Sequence, residues 1–267
     1  MSIGRPLPII VGHRGASAYA PENTLAAFRR AIDDGAEGLE FDVRLSRDGV
    51  PVVIHDATLQ RTGGLANEVA EMTSSELGGT DVGSWFNSAF PARASEAFAA
   101  ETVPTLRQTL ELLREFTGRF YIELKCGPSD AEELSKAVCG VIRDSPLLPQ
   151  IVVKSFHLGI SPILKMSCSG VRTAALFAPQ IMTMLRKEKY LVNIAREFNA
   201  DELSMHYSLA TRKLMRKADA AGFPVTIWTA ENPRWVKRGI RIGLTAIITN
   251  DPARLLARRS VLTDAAG

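Results

Sequence analysis

The sequence predicts a (β/α)8 barrel, in which eight parallel strands close into a cylinder and a helix follows each strand. Short apolar runs rich in β-branched residues recur along the chain, and amphipathic segments separate them. This alternation is typical of the barrel, and 267 residues is close to its usual length. We therefore expect a single barrel domain over residues 1–267. The predicted strands are 8–11, 38–42, 120–124, 151–155, 172–177, 202–205, 225–228 and 246–249.

The segment after the first predicted strand shows the helical pattern. Leu25, Phe28 and Ile32 lie on one apolar stripe at the spacing of an α-helix. Gly35 stands just past the end of this stripe, where a glycine commonly terminates a helix. A helix is therefore expected between the first two strands.

The apolar run 50–54 does not fit the count of barrel strands. About seven residues separate it from the end of the second strand, whereas a parallel crossover needs about a dozen or more. Asp48-Gly49, midway between the two runs, is a strong hairpin signal. We expect the run to fold back antiparallel on an extended second strand, which would place His55 opposite Asp42.

Residues 57–103 contain no run of the barrel type. The segment is rich in polar and small residues, with Trp85 and Phe86 near its middle. We expect it to form a small insertion over the barrel mouth, after the second strand and its hairpin.

Composition limits the classes of partner. The chain is 46% hydrophobic and 23% charged, and its net charge of +3 is too small to indicate nucleic acid. No apolar stretch approaches the ~18 residues of a membrane span, and no apolar leader precedes the first strand. The three cysteines lack Cys-x-x-Cys spacing, which fits buried thiols in a reducing compartment. We expect a cytoplasmic protein without a membrane anchor, and the oligomeric state is left open.

Acidic side chains follow neighbouring strands of the predicted barrel. Glu40 and Asp42 are two residues apart on the second strand and point to the same side, and Glu123 and Lys125 repeat this spacing on the third. Three carboxylates at one mouth would raise one another's pKa values unless a cation joined them. Ligands that offer only oxygen indicate Mg²⁺ or Ca²⁺ rather than zinc.

Basic side chains and two histidines accompany these carboxylates. His13 and Arg14 follow the first strand, and His55 ends the hairpin. Arg14, Lys125 and a divalent cation would form a receptor for a phosphate diester, since charged donors bind its oxygens strongly. His13 and His55 could then act as general base and general acid. Each signal alone is common in structural sites, and their joint occurrence at successive strand ends favours the functional interpretation.

An ordered set of motifs gives the chain a family resemblance. It resembles the glycerophosphodiester phosphodiesterase family over about residues 8–252, nearly the whole chain. The motifs are His13-Arg14-Gly15, Pro21-Glu22-Asn23-Thr24, Glu40-Phe41-Asp42-Val43, Asp48-Gly49, Val52-Val53-Ile54-His55-Asp56, Leu59, Arg61-Thr62, Gly83-Ser84-Trp85-Phe86, Val103-Pro104-Thr105-Leu106, Glu123-Leu124-Lys125, Ser155-Phe156, Trp228-Thr229 and Ile247-Ile248-Thr249.

The resemblance implies a barrel enzyme with an insertion after the histidine hairpin. Such an enzyme hydrolyses glycerophosphodiesters, which are small molecules, to sn-glycerol 3-phosphate and an alcohol, and it uses one divalent cation. The roles that the resemblance implies are metal binding by Glu40, Asp42 and Glu123, acid–base catalysis by His13 and His55, and phosphate binding by Arg14 and Lys125.

Three further positions carry weaker signals. The resemblance places Trp228 at the substrate pocket, although a core tryptophan remains an alternative. Phe156 is interpreted as a packing residue. Asn250 stands where the family usually carries an aspartate, a departure that touches none of the assigned ligands.

Two other functions remain to be weighed. A lysophospholipase-D-like relative would need an apolar groove for an acyl chain, and the insertion offers four aromatic residues but no amphipathic basic helix. A barrel that only binds phosphorylated ligands would be expected to have lost a histidine or a metal carboxylate. The sequence leaves open the alcohol released, the choice between Mg²⁺ and Ca²⁺, and whether a cyclic phosphate forms or water attacks directly.

Overall fold

The computed structural model describes residues 6–179 and 189–264. The ends of the predicted domain, residues 1–5 and 265–267, lie outside the described residues, as does the segment 180–188.

Within the described residues the chain forms nine strands. They are β1 (Ile9–His13), β2 (Gly38–Leu45), β3 (Pro51–Val53), β4 (Arg119–Leu124), β5 (Ile151–Ser155), β6 (Arg172–Phe177), β7 (Glu202–His206), β8 (Val225–Trp228) and β9 (Ala246–Thr249). All except β3 are parallel to their neighbours, and β1 closes the cylinder by pairing with both β9 and β2. The predicted (β/α)8 barrel is confirmed, and each predicted run overlaps one barrel strand.

Helices surround the barrel. They are α1 (Leu25–Asp33), α2 (Gln60–Gly63), α3 (Ser74–Gly78), α4 (Ser84–Ala89), α5 (Leu106–Leu112), α6 (Ala131–Ile142), α7 (Ile160–Ser167), α8 (Lys189–Glu197), α9 (Arg212–Ala220), α10 (Arg234–Ile242) and α11 (Pro252–Asp264). Short 3-10 turns lie at Val69–Glu71, Pro91–Arg93, Glu96–Ala100, Leu148–Gln150 and Tyr207–Leu209. In the two described ranges, no helix combines the length and the apolar character that crossing a membrane requires.

A large part of the core lies between the barrel wall and the helices. Phe28 of α1 packs against Phe41 of β2 with ring centroids 5.4 Å apart, and both side chains are fully buried. Burial of each such ring stabilises the fold by roughly 1.5–3 kcal/mol. Because Phe41 faces the helices, its neighbours Glu40 and Asp42 point to the opposite side, into the barrel.

The predicted hairpin is confirmed, but its predicted register is wrong by one residue. β3 pairs antiparallel with β2 so that Val43 faces Val53. The Ile54 amide then donates to the Asp42 carbonyl at 3.0 Å, so Ile54, not His55, lies opposite Asp42. The offset arises because three residues, 47–49, form the loop instead of two, and Gly49 at φ 74° lies in the left-handed region.

The segment between β3 and α5 has a small apolar cluster of its own. This cluster extends from the hairpin strand into the insertion and consists of Val52, Ile54, Leu59, Val69, Leu77, Val82 and Val103. At the edge of the segment, Arg93 donates to the Ala18 carbonyl and stacks on the Tyr19 ring, 4.8 Å from its centroid. The insertion therefore contacts the loop that follows β1.

Candidate active site

The three predicted carboxylates meet inside the barrel mouth. Asp42 of β2 and Glu123 of β4 are direct neighbours in the parallel register, and Glu40 lies two residues before Asp42 on the same face. One carboxylate oxygen from each of the three lies within 4.8 Å of the other two. All three side chains are buried, so this acidic triad, Glu40, Asp42 and Glu123, could hold a metal ion.

Three cationic side chains surround the acidic triad. Lys125 Nζ lies 3.1 Å from Asp42 Oδ1 and also contacts Glu123 Oε1. Arg14 Nε lies 3.0 Å from Asp42 Oδ2. The third cation, Lys154, has its Nζ 2.8 Å from Glu40 Oε1 and 3.5 Å from Glu123 Oε2. Sequence reasoning missed Lys154, although a lysine within the otherwise apolar run of β5 is a signal that could have identified it.

These charges lower the pKa values of the buried carboxyl groups. Burial alone would raise the pKa of Asp42, but Arg14, Lys125 and His55 outweigh it, and the pKa lies well below its ordinary value. The pKa of Glu40 is also lowered, because Lys154 and His13 outweigh the effect of burial. Both groups are therefore ionised near neutral pH, as cation ligands must be.

The loop after β1 is fitted tightly against α1. Arg14 adopts φ 55°, in the left-handed region, and its backbone amide donates to Glu40 Oε2 at 3.2 Å. Gly15 has φ 82°, and a Cβ at this position would come within 2.5 Å of the Ala27 backbone. This backbone geometry brings the Arg14 guanidinium to Asp42, while its Nη1 contacts Glu22 at 2.7 Å.

Asn23 fixes the position of Asp42 across the barrel mouth. Its Oδ1 accepts from the Asp42 backbone amide at 3.2 Å, and its Nδ2 donates to Asp42 Oδ2 at 2.9 Å. The residue is buried and has φ 59°, a conformation that asparagine tolerates better than most residues. Sequence reasoning gave Asn23 no role at the site, because nothing in one sequence shows which side chain an amide will contact.

His13 is held between an amide and the acidic triad. Its Nδ1 lies 2.6 Å from Asn250 Oδ1, and its Nε2 lies 3.8 Å from Glu40 Oε2. An amide oxygen accepts a hydrogen bond, so Nδ1 carries the proton in this arrangement. The departure at Asn250 therefore bears directly on one of the two predicted catalytic histidines.

His55 belongs to a second polar chain. Its Nδ1 lies 2.6 Å from Asp56 Oδ1, and Arg61 Nε donates to the other Asp56 oxygen at 2.6 Å. Arg61 also donates to Glu22, which contacts Arg14. His55 and the phosphate-binding candidate Arg14 are thus connected through three intervening side chains.

A cavity of about 260 Å³ opens beside Glu123 and Lys125. Arg44 lines it, two residues beyond Asp42 on the same face of β2, and donates to the His55 carbonyl at 2.8 Å. In the described part of the chain no carboxylate lies within ion-pair distance of Arg44. Sequence reasoning missed this residue, although it continues the alternation of Glu40 and Asp42.

The aromatic candidates lie at the side of this cavity. Phe156, interpreted from the sequence as a packing residue, lines the cavity and is 48% exposed. Trp228, at the end of β8, does not line the cavity but packs edge-on against Phe156 with centroids 5.7 Å apart. Its indole nitrogen is buried without a hydrogen-bond partner among the described residues. Trp228 therefore lies next to a residue that lines the cavity, and its role at the substrate pocket stays a prediction.

Solved structures share this fold. A phosphodiesterase from Oleispira antarctica, in complex with the product sn-glycerol 3-phosphate, is 26% identical with a TM-score of 0.82, and the match covers 95% of this chain and 97% of that one. A glycerophosphoryl diester phosphodiesterase assigned in Silicibacter pomeroyi is 27% identical with a TM-score of 0.86, covering 97% and 96%. With the sequence relatives below, these comparisons define the protein as a barrel enzyme of the phosphoric diester hydrolase class.

Comparison of sequences gives the family. The model of the glycerophosphoryl diester phosphodiesterase family matches residues 13–254. A glycerophosphodiester phosphodiesterase from Caldanaerobacter subterraneus is 32% identical in an alignment 256 residues long that covers 93% of this chain and 96% of the relative. The chain belongs to the glycerophosphoryl diester phosphodiesterase family.

Proposed function

We propose that the protein hydrolyses glycerophosphodiesters to sn-glycerol 3-phosphate and an alcohol. The observation that carries this proposal is the acidic triad, within 4.8 Å and flanked by Arg14 and Lys125. A site of this kind suits an anionic ester that also binds a cation. Family membership supports the same reaction, and so does the sn-glycerol 3-phosphate bound to the Oleispira relative.

The donor atoms of the acidic triad fit one Mg²⁺ or Ca²⁺. Glu40 Oε1 and Asp42 Oδ1 are buried and lack a well-aligned hydrogen bond among the described residues, although the ammonium groups of Lys154 and Lys125 lie 2.8 and 3.1 Å from them. Such oxygens, with no nitrogen or sulfur donor in the triad, match the ligand preference of hard divalent cations. Glu40, Asp42 and Glu123 would hold the ion. When bound, it would polarise a phosphoryl oxygen and neutralise charge that develops there.

Arg14 and Lys125 would bind the non-bridging oxygens of the phosphate. Both approach Asp42, from opposite carboxylate oxygens, so their charges converge on the same mouth. Lys125 is partly exposed and follows the end of β4 beside the cavity. Arg44 on the cavity wall is a further positive side chain beside the proposed phosphate site.

His13 and His55 would divide proton transfer across the phosphate. One histidine takes the proton from the glycerol hydroxyl next to the ester, and that oxygen attacks phosphorus as the bond to the leaving alcohol breaks. The other histidine gives its proton to the leaving oxygen, and a cyclic glycerol phosphate forms. The histidines then exchange roles as water opens the ring. Their Nδ1 contacts with Asn250 and Asp56 hold both rings in place for this exchange.

Direct attack by water is the alternative route to the same products. A histidine would then deprotonate water instead of the glycerol hydroxyl, and no cyclic ester would form. Phosphorus NMR during turnover separates the routes, because only the first produces a transient cyclic phosphate signal.

We further propose that the protein acts in the cytoplasm on a small-molecule substrate. The three cysteines, Cys126, Cys139 and Cys168, are all free thiols, as expected in a reducing compartment.

The proposed activity is tested by measuring release of sn-glycerol 3-phosphate from a panel of glycerophosphodiesters. We expect turnover that EDTA abolishes and that added Mg²⁺ or Ca²⁺ restores. A parallel panel of lysophospholipids tests the lysophospholipase-D-like alternative, which predicts faster turnover of the acylated substrates; this panel is followed by the alcohol released, because the other product keeps its acyl chain. Absence of sn-glycerol 3-phosphate release from every glycerophosphodiester, with the metal added back, would refute the proposal.

A further inference from the structure

Lys154 occupies an unusual position for a lysine. It lies on β5 next to Glu123 in the parallel register, and it is only 1% exposed. Its ammonium contacts Glu40 at 2.8 Å and Glu123 at 3.5 Å, two of the three carboxylates of the acidic triad. The proposed reaction assigns it no role, and a buried lysine is costly unless its charge is compensated.

The negative charges of the acidic triad are compensated without any metal ion. Arg14, Lys125 and Lys154 contact the three carboxylates. Glu22, the second partner of Arg14, is itself paired with Arg61. A divalent cation added to this neutral cluster would leave an excess of two positive charges in a buried site. An anionic phosphate bound at the same time would offset that excess.

Lys154 differs from the other two cations in its exposure. The Lys125 and Arg14 side chains are 14% and 16% exposed, so both reach the solvent side of the mouth, where a phosphate would bind. Lys154 lies deeper, and the close packing of the barrel leaves its ammonium beside Glu40 and Glu123. Its positive charge therefore acts on the triad in the free and in the loaded protein.

We propose that Lys154 is a built-in counter-cation that keeps the affinity of the acidic triad for divalent metal low until a phosphate ligand binds. The inference rests on the proposed metal site. This role makes metal binding and phosphate binding mutually dependent. If the phosphate raises the affinity for the metal by some factor, the metal raises the affinity for the phosphate by the same factor. Lys154 is then a positioning and affinity-setting residue, without contact to the reacting atoms.

Calorimetric titration of metal tests the proposal without measuring activity. Mg²⁺ and Ca²⁺ are titrated separately into chelator-treated protein, with and without sn-glycerol 3-phosphate. We expect the phosphate to tighten metal binding to the wild type at least tenfold. Lys154→Met and Lys154→Gln should bind metal alone at least tenfold more tightly than the wild type and should respond less to the phosphate.

Lys165→Met provides the matched control. Lys165 forms an ion pair with Asp201, is 25% exposed and makes no contact with the acidic triad, so this variant should bind metal like the wild type. Because removal of Lys154 leaves buried carboxylates less compensated, thermal unfolding is followed as well. Both Lys154 variants should unfold at a lower temperature than the wild type without metal, and metal should raise their unfolding temperature by more.

The outcomes separate this inference from the proposed function. Equal metal affinity in the wild type and the Lys154 variants would overturn the counter-cation role and leave the metal site standing. Weaker metal binding in the Lys154 variants would also overturn the counter-cation role. That result is expected if Lys154 only supports the structure of the site, because its removal would then disturb the metal ligands. If neither metal binds the wild type or any variant, the proposed metal site fails and this inference fails with it.

Discussion

Asp56 holds the imidazole of its own chain neighbour, His55, with Oδ1 and Nδ1 2.6 Å apart. Arg61 fixes the other oxygen of the same carboxylate at 2.6 Å. An imidazole that is bound at Nδ1 has a fixed ring orientation, and its Nε2 remains available for proton transfer. The acid–base role proposed for His55 therefore depends on the carboxylate of Asp56 as well as on the imidazole itself.

Asp56→Asn should lower kcat by about tenfold or more, because His55 loses the carboxylate that orients its ring. The loss should be smaller than that caused by removing His55 itself, since proton transfer by a side chain accelerates a reaction by roughly 10²–10⁴-fold. KM should change little. The measurement is steady-state kinetics on a glycerophosphodiester, with metal binding checked in parallel. An unchanged kcat would show that Asp56 does not orient the histidine.

His13→Ala and His55→Ala should each reduce kcat by roughly 10²–10⁴, most clearly on a substrate whose alcohol is a poor leaving group. Both variants should still bind metal, since neither histidine belongs to the acidic triad. A loss below tenfold in either variant, with metal bound, removes that histidine from the proposed proton transfer.

Arg14→Lys should raise KM clearly and leave the fold intact. The guanidinium contacts Asp42 through Nε and Glu22 through Nη1, and a single ammonium cannot reproduce both contacts and still meet a phosphate oxygen. Initial rates at low substrate concentration are the measurement. Full activity under those conditions would assign Arg14 to a structural role.

Glu123→Gln should weaken divalent metal binding at least tenfold, because the acidic triad loses a negative ligand while the side chain keeps its shape. Glu132→Gln is the control, since Glu132 is an exposed glutamate on α6 paired with Lys136. Calorimetric titration compares the two variants, and equal affinities would exclude Glu123 from the proposed site.

Glu22 predicts a pH dependence of stability. Burial would raise its pKa, but hydrogen bonds and charge from Arg61 and Arg14 outweigh burial and lower it. A carboxylate with a lowered folded-state pKa stabilises the fold above its unfolded pKa of about 4.3 and loses this contribution as pH falls. Glu22→Gln should therefore lose less unfolding free energy than the wild type between about pH 5 and pH 3. Urea unfolding at several pH values measures this, and parallel curves would contradict it.

Much of the fold could be predicted from the sequence because alternating strands and helices leave a strong periodic signal. The one-residue error in the hairpin arose because Asp48-Gly49 suggests a two-residue turn, and only backbone geometry reveals the third loop residue. The acidic triad followed from residues two apart on neighbouring strands, which share a face by geometry. Its roles in catalysis and metal binding stay predictions.

The missing parts of the site have a common physical cause. Lys154 and Asn23 act through long-range side-chain contacts, and a single sequence does not reveal which distant groups a lysine or an amide will meet. Arg44 could have been predicted, because it lies two residues after Asp42 on the same strand and therefore points to the same side. Trp228 is placed at the pocket by resemblance, and its edge-on contact with the cavity-lining Phe156 leaves that role a prediction.

The two histidines belong to different structural units, because a small apolar cluster joins the hairpin to the segment that follows it. His13 stands on the barrel wall, whereas His55 directly follows Ile54, which is packed with Leu59 and Leu77 in the small cluster. Opening of this cluster would displace one of the two proposed proton carriers while leaving the barrel closed. If His55 carries a proton as proposed, turnover would depend on the local stability of this small cluster, and substitutions there would alter turnover without weakening the barrel.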